Sequence, residues 1–100
     1  MIVYSVTIKV ELEIHNDWLD WMKKVHIPDV MRTKKFVDYK MHRILAEEEQ
    51  SGITYNVQYR AASMTDYFDY QNDFAPKLQA AHTERYKDKF VGFRTLLKEV

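Results

Sequence analysis

From Ile2 to Ile14 the chain alternates apolar and polar residues. Ile2, Tyr4, Val6, Ile8, Val10, Leu12 and Ile14 fall on one side, and Ser5, Thr7, Lys9, Glu11 and Glu13 fall with Val3 on the other. Successive side chains of an extended chain point to opposite faces, so a period of two predicts a strand buried on one face. Asn16 or Asp17 is then expected to cap a helix, because its short side chain can accept from the free N–H groups of a first turn. Trp18, Trp21, Met22 and Val25 follow at helical spacing and predict a helix over 16–33. Phe36–Ala46 returns to a strand pattern less cleanly, Glu47–Gly52 reads as a solvated hairpin tip, and Ile53–Ala61 alternates again. Ser63-Met64-Thr65-Asp66 has the form of a capping box. Behind it an apolar stripe through Tyr67, Phe74, Leu78, Ala81, His82 and Tyr86 stays in phase across Pro76, predicting one long, kinked helix over 64–87. Phe90–Val100 reads as a final strand.

The order β-α-β-β-α-β predicts an α+β, ferredoxin-like fold: a four-stranded antiparallel sheet with two kinked helices on one face, as a single domain over 1–100. Pro28 and Pro76 supply the kinks, since proline lacks an N–H and crowds the carbonyl four residues back, here those of Lys24 and Asn72. The first and third strands should be central, with their apolar faces against the helices. Their other faces then display Ser5, Thr7 and Lys9, and Thr54, Asn56, Gln58 and Arg60. The second strand is expected to add Asp38, Lys40 and His42 to this open face, and the fourth Gly92, Arg94 and Leu96. Such a face is either a solvated sheet surface or one half of a homodimer that encloses a wet, polar cavity. Lys9, His42, Asn56, Gln58, Arg60 and Arg94 are the candidates for holding a small polar or anionic ligand there.

Composition narrows the function classes. Fifteen Lys+Arg against fifteen Asp+Glu give no net charge, which removes the general electrostatic footprint for nucleic acid or an anionic membrane. RNA binding on the open sheet is also disfavoured, because it needs aromatic platforms and Tyr55 and Tyr59 point the other way. The lack of cysteine excludes disulfides, thiolate zinc sites and a Cys nucleophile. No run approaches 18 apolar residues and Met1–Val10 lacks the make-up of a signal peptide, so a cytoplasmic chain outside the membrane is expected. None of the four histidines pairs at metal-ligand spacing, and neither a metal nor a cofactor is expected. His82 lies on the apolar stripe and reads first as a core histidine, second as a general base at a helix-lined pocket. His26 precedes Pro28 and is placed to bond a freed carbonyl or to act as a base; Tyr55, Tyr59 or Tyr86 would orient a substrate.

Trp18-x-x-Trp21-Met22, His26-Ile27-Pro28-Asp29, Gly52-Ile53-Thr54-Tyr55-x-Val57-Gln58-Tyr59, Phe74-Ala75-Pro76-x-Leu78 and Phe93-Arg94-Thr95-Leu96-Leu97 together carry a resemblance. Over nearly its whole length the chain resembles a family of small bacterial proteins known as a domain of unknown function, within the dimeric α/β-barrel superfamily of ferredoxin-like proteins. The resemblance implies a homodimer and no particular activity. The superfamily includes cofactor-free monooxygenases, haem-degrading enzymes, isomerases and ligand binders. Its haem-degrading members pair a pocket histidine with a third-strand tryptophan, whereas the third strand here offers Tyr55 and Tyr59. Two functions are therefore carried forward. One is a homodimeric ligand-binding or interaction module with a polar cavity at the sheet face. The other is a cofactor-free monooxygenase or isomerase with a helix–sheet pocket served by His82, His26 and Tyr55.

Overall fold

Strand β1 (Ile2–Val10) lies between β3 (Ile53–Ala61) and β4 (Phe90–Lys98), and β2 (Asp38–Arg43) pairs with the far edge of β3. All three pairings are antiparallel. The protein is seen as a computed structural model that describes residues 1–45 and 51–100. The first and third strands are central, as their clean alternation demands: both are covered on one face, and β3 alternates buried and half-buried residues along its length. The hairpin tip expected over Glu47–Gly52 falls mostly outside the described residues.

The helical segments pack on one sheet face. Helix α1 (His15–Trp21) sets Trp18 on Tyr55 of β3, with ring centroids 5.2 Å apart. Helix α3 (Met64–Asp73) sets Tyr70 on Tyr4 of β1 at 5.9 Å, and α4 (Ala75–Tyr86) sets His82 edge-on against Phe90 of β4 at 4.4 Å. Trp18, Met22, Ile27, Val10, Val30 and Val57 are the largest fully buried side chains. Beside them Tyr4, Phe36, Tyr59 and Tyr70 form an aromatic layer in which stacked and edge-on pairs replace part of an aliphatic core.

Each proline acts differently. Ahead of Pro28 the helix widens into a π turn, Met22–His26, in which the Ile27 N–H bonds the Met22 carbonyl; α2 (Ile27–Arg32) then resumes. The wider turn relieves the proline's crowding upstream and leaves the chain helical. At Pro76 the helix breaks at a single residue, Phe74, whose φ of −125° lies outside the helical range. The long second helix is thus two helices that abut at one residue. The capping box forms, with Ser63 Oγ accepting from the Asp66 N–H at 3.2 Å.

Three expectations need correction. The first strand stops at Val10, because the Glu11 N–H bonds the Lys89 carbonyl and Leu12–Ile14 turns into a short 3-10 helix that leads directly into α1. Neither Asn16 nor Asp17 caps that helix; its N-cap is Ile14, with no side-chain bond, and Asp17 instead accepts from the Tyr86 hydroxyl at 2.8 Å. The fourth strand has the opposite phase. Arg94 stands opposite Val6 and Gly92 opposite Ile8, so Gly92, Arg94 and Leu96 face the helix side. The open face receives Val91, Phe93, Thr95 and Leu97 instead, and Val91 and Phe93 are 68% and 63% exposed. As an edge strand with apolar residues on both sides, β4 has no alternation to read, and only pairing with β1 fixes its faces.

Candidate functional site

The two sheet faces offer different chemistry. On the open face three of the candidate ligand groups are already bonded to neighbouring side chains. Arg60 donates to both Asp38 carboxylate oxygens, at 2.7 and 2.6 Å, and to Glu99 at 3.2 Å. Asn56 donates to Ser5 and Thr7, and Lys9 donates to Ser51 at 2.7 Å. His42 and Gln58 stand on the same face by register. Arg94 is not among these residues, being on the far side of the sheet.

Between the helices and the sheet lies a cavity of about 280 Å³. Its floor comes from the central strands, with Tyr4, Val6 and Ile8 of β1 and Val57 and Tyr59 of β3. Its roof comes from Met22 and His26 of the π turn, Val30 of α2, Tyr70 of α3, and Gln79, His82 and Thr83 of α4. Edge strand β4 closes one side with Phe90, Gly92 and Arg94. Gly92 is required at that wall, because a Cβ there would stand 2.8 Å from the Thr7 carbonyl oxygen and 3.2 Å from Ile8 Cγ1. This is the usual form of a small-molecule site: mostly apolar walls with a few convergent polar groups.

Burial governs the protonation of the histidines and tyrosines among those groups. His82 is 6% exposed, and its Nε2 accepts from Trp18 Nε1 at 2.9 Å. Burial pushes the pKa of His82 down to about 4, with His26 and Arg94 adding to the effect. Burial likewise pushes His26 down to about 4, Asp29 opposing and Arg94 reinforcing the shift. Both imidazoles are therefore neutral near pH 7. Their rings meet edge-on, 5.8 Å apart, and Trp21 lies 5.3 Å from His26. Burial raises Tyr59 and Tyr70 well above the ordinary phenol value, so each keeps its O–H. It raises Tyr4 as well, against the pull of Arg94. Among the described residues Arg94 forms no ion pair with a carboxylate, which leaves its charge directed at the cavity.

Of the histidines and tyrosines singled out in the sequence, His82, His26 and Tyr59 share this cavity. Tyr55 does not line it; its hydroxyl is bonded to His15 Nε2 at 2.7 Å, under Trp18. Tyr86 is likewise turned away, its hydroxyl bonded to Asp17. Nor does His26 bond a freed carbonyl; among the described residues its side chain makes ring contacts only. The sequence reading missed Gln79 and Thr83, although a signal existed: they share the helical spacing of His82, and so form a polar edge to the apolar stripe.

The architecture is shared widely. An ethyl tert-butyl ether (ethd) family protein from Bacillus halodurans is 13% identical at a TM-score of 0.69, with 100% of each chain covered. A dimeric ferredoxin-like protein from an uncultured marine organism is also 13% identical at 0.69, covering 100% of this chain and 95% of that one. SnoaB, a cofactor-independent oxygenase from Streptomyces nogalater, is 7% identical at 0.63, covering 98% and 92%. At these identities the likeness is one of fold. No curated protein matches the chain significantly in sequence. The profile of the family described as Domain of unknown function (DUF4286) matches residues 1–100.

Proposed function

This chain belongs to the DUF4286 family, and from that premise, which brings no activity with it, we propose that its helix–sheet cavity binds a small organic anion and moves a proton on it with side chains alone. The observation that carries the reading is the meeting of two neutral histidines, tyrosine hydroxyls and an arginine that makes no carboxylate ion pair among the described residues, all in one mostly apolar cavity. A neutral imidazole is a competent general base near pH 7. Arg94 attracts a carboxylate or enolate, and the apolar walls hold the remainder of the ligand. Those groups suit enolisation or isomerisation, in which a C–H proton passes to a base, the electron pair shifts to oxygen, and the proton is returned.

Pairing of two copies is part of the same proposal. The exposed Val91, Phe93 and Leu97 form an apolar strip beside the self-satisfied polar groups of the open face. We assign that strip to a homodimer contact, and the likeness to a dimeric ferredoxin-like protein supports the assignment. Ligand capture then falls to the opposite face of each sheet.

Phenylpyruvate, a small aromatic keto acid with an enolisable carbon, tests the reading. In deuterium oxide the protein should speed deuterium incorporation at its C3 above the buffer rate, and Arg94→Gln should reduce that acceleration. Exchange at the buffer rate, with binding intact, would leave a ligand binder and remove the enzyme. A second reading, oxygenation, draws on the likeness to a cofactor-independent oxygenase; oxygen consumption stoichiometric with phenylpyruvate loss would favour it.

A further inference from the structure

We propose that Trp18 locks His82 into the tautomer bearing its proton on Nδ1, making His82 a fixed hydrogen-bond donor to a ligand oxygen and leaving His26 as the base. The inference deepens the cavity reading above and rests on it for the identity of the acceptor. An indole N–H can only donate. The Trp18 Nε1 to His82 Nε2 contact of 2.9 Å therefore requires a lone pair on Nε2, and a neutral ring must then carry its proton on Nδ1. The lock is well built. Trp18 is fully buried, and Tyr55 tilts against its ring at 5.2 Å. His82 is gripped by Trp18 and Phe90, both edge-on.

The other ring nitrogen is free to meet a ligand. Among the described residues no buried side-chain nitrogen or oxygen lacks a partner, and the bond to Trp18 is the hydrogen bond His82 makes within them. His82 Nδ1 is therefore not sealed in the core, and we assign its opening to the cavity the ring lines. An N–H there selects an acceptor: a carbonyl, enolate or carboxylate oxygen. A base at this position would have to give up the Trp18 bond or its own proton first. His26 carries no such bond among the described residues and lies across the cavity roof, 5.8 Å from His82 between ring centroids. In an enolisation the C–H proton would pass to a His26 nitrogen and the electron pair to the ligand oxygen. His82 Nδ1–H and Arg94 would stabilise that oxygen, and the proton would then return from His26 to carbon. Nothing is oxidised or reduced.

Two measurements on the full chain test this. Long-range proton–nitrogen spectra of the ¹⁵N-histidine-labelled protein, with His82 assigned through His82→Phe, should show a protonated Nδ1 and an unprotonated Nε2 at pH 7. Trp18→Phe should shift that ring toward the Nε2–H form. A wild-type Nε2–H or mixed tautomer would overturn the lock, whether or not Trp18→Phe folds. The second measurement compares acetophenone with isopropylbenzene, probes of like shape with and without an acceptor oxygen. His82→Phe should lower the ratio of their affinities about tenfold, the loss of one hydrogen bond of about 1.4 kcal/mol. A ratio that His82→Phe leaves unchanged would overturn the donor role. If neither probe binds the wild type, the cavity reading and the donor role with it fail, and the spectra still decide the tautomer.

Discussion

His82 shows how far a single residue can be read from sequence. Its place on the stripe with Leu78 and Tyr86 put it against the sheet, and it is 6% exposed there. Its partner could not be read, because Trp18 lies 64 positions away and nothing local records the contact. Burial of two neutral imidazoles carries a stability consequence. Each is held near pKa 4 in the fold against 6.5 as a free side chain, so between those values the unfolded chain binds more protons than the folded one. Stability is then complete above about pH 6.5 and falls as pH drops toward 4, by roughly 3 kcal/mol for one histidine at full protonation. Urea titrations at pH 7.5, 5.5 and 4.5 should show that slope, and His82→Phe should reduce it by about half, His26 keeping the rest. Arg94 is the opposite case. Its face was misread from the pattern, and its charge points at the cavity. Arg94→Gln should weaken phenylpyruvate binding about tenfold or more, since hydrogen bonds to charged groups contribute about 1.5–3 kcal/mol; calorimetry reads the change directly.

At the scale of elements, the strength of each local signal decided what was legible. The strand Ile53–Ala61 alternates without exception and forms over the residues expected. Ser63 and Asp66 carry a complete cap within four residues, and the bond is made. Ser63→Ala should therefore lower stability by about 1 kcal/mol, measurable as a shifted denaturation midpoint with the m-value unchanged. The start of α1 had weaker grounds. Asn16 and Asp17 are suitable caps, but the preceding 3-10 turn already places Ile14 at the cap position. The π turn was not visible either, because Trp18, Trp21, Met22 and Val25 keep helical spacing whether the turn is regular or widened. Its effect is concrete: it ends at His26 and delivers that ring to the cavity roof. An α-helix advances about 100° per residue, so deleting Lys24 should tighten the turn and swing His26 off the cavity. The expected outcome is retained helicity by circular dichroism with loss of deuterium exchange into phenylpyruvate.

For the whole molecule, strand order and the side on which the helices pack followed from the central strands, whose covered faces leave one arrangement. The division of labour between the faces did not, because it depends on the phase of β4 alone. With that phase corrected, the open face gains Val91 and Phe93 and the covered side gains a cation. An exposed apolar strip on a sheet edge is a candidate contact surface. Sedimentation at micromolar concentration should give twice the 12.1 kDa chain mass, and Phe93→Glu should return the value to 12.1 kDa. Persistence of a dimer in that variant would move the contact elsewhere. The central claim, that ligand is held between helices and sheet, is met most directly by titrating phenylpyruvate into ¹⁵N-labelled protein and mapping the amide and imidazole resonances that move. The account predicts saturable shifts centred on His26, Tyr59, His82 and Gly92; shifts centred instead on Lys9, His42, Gln58 and Arg60 would contradict it.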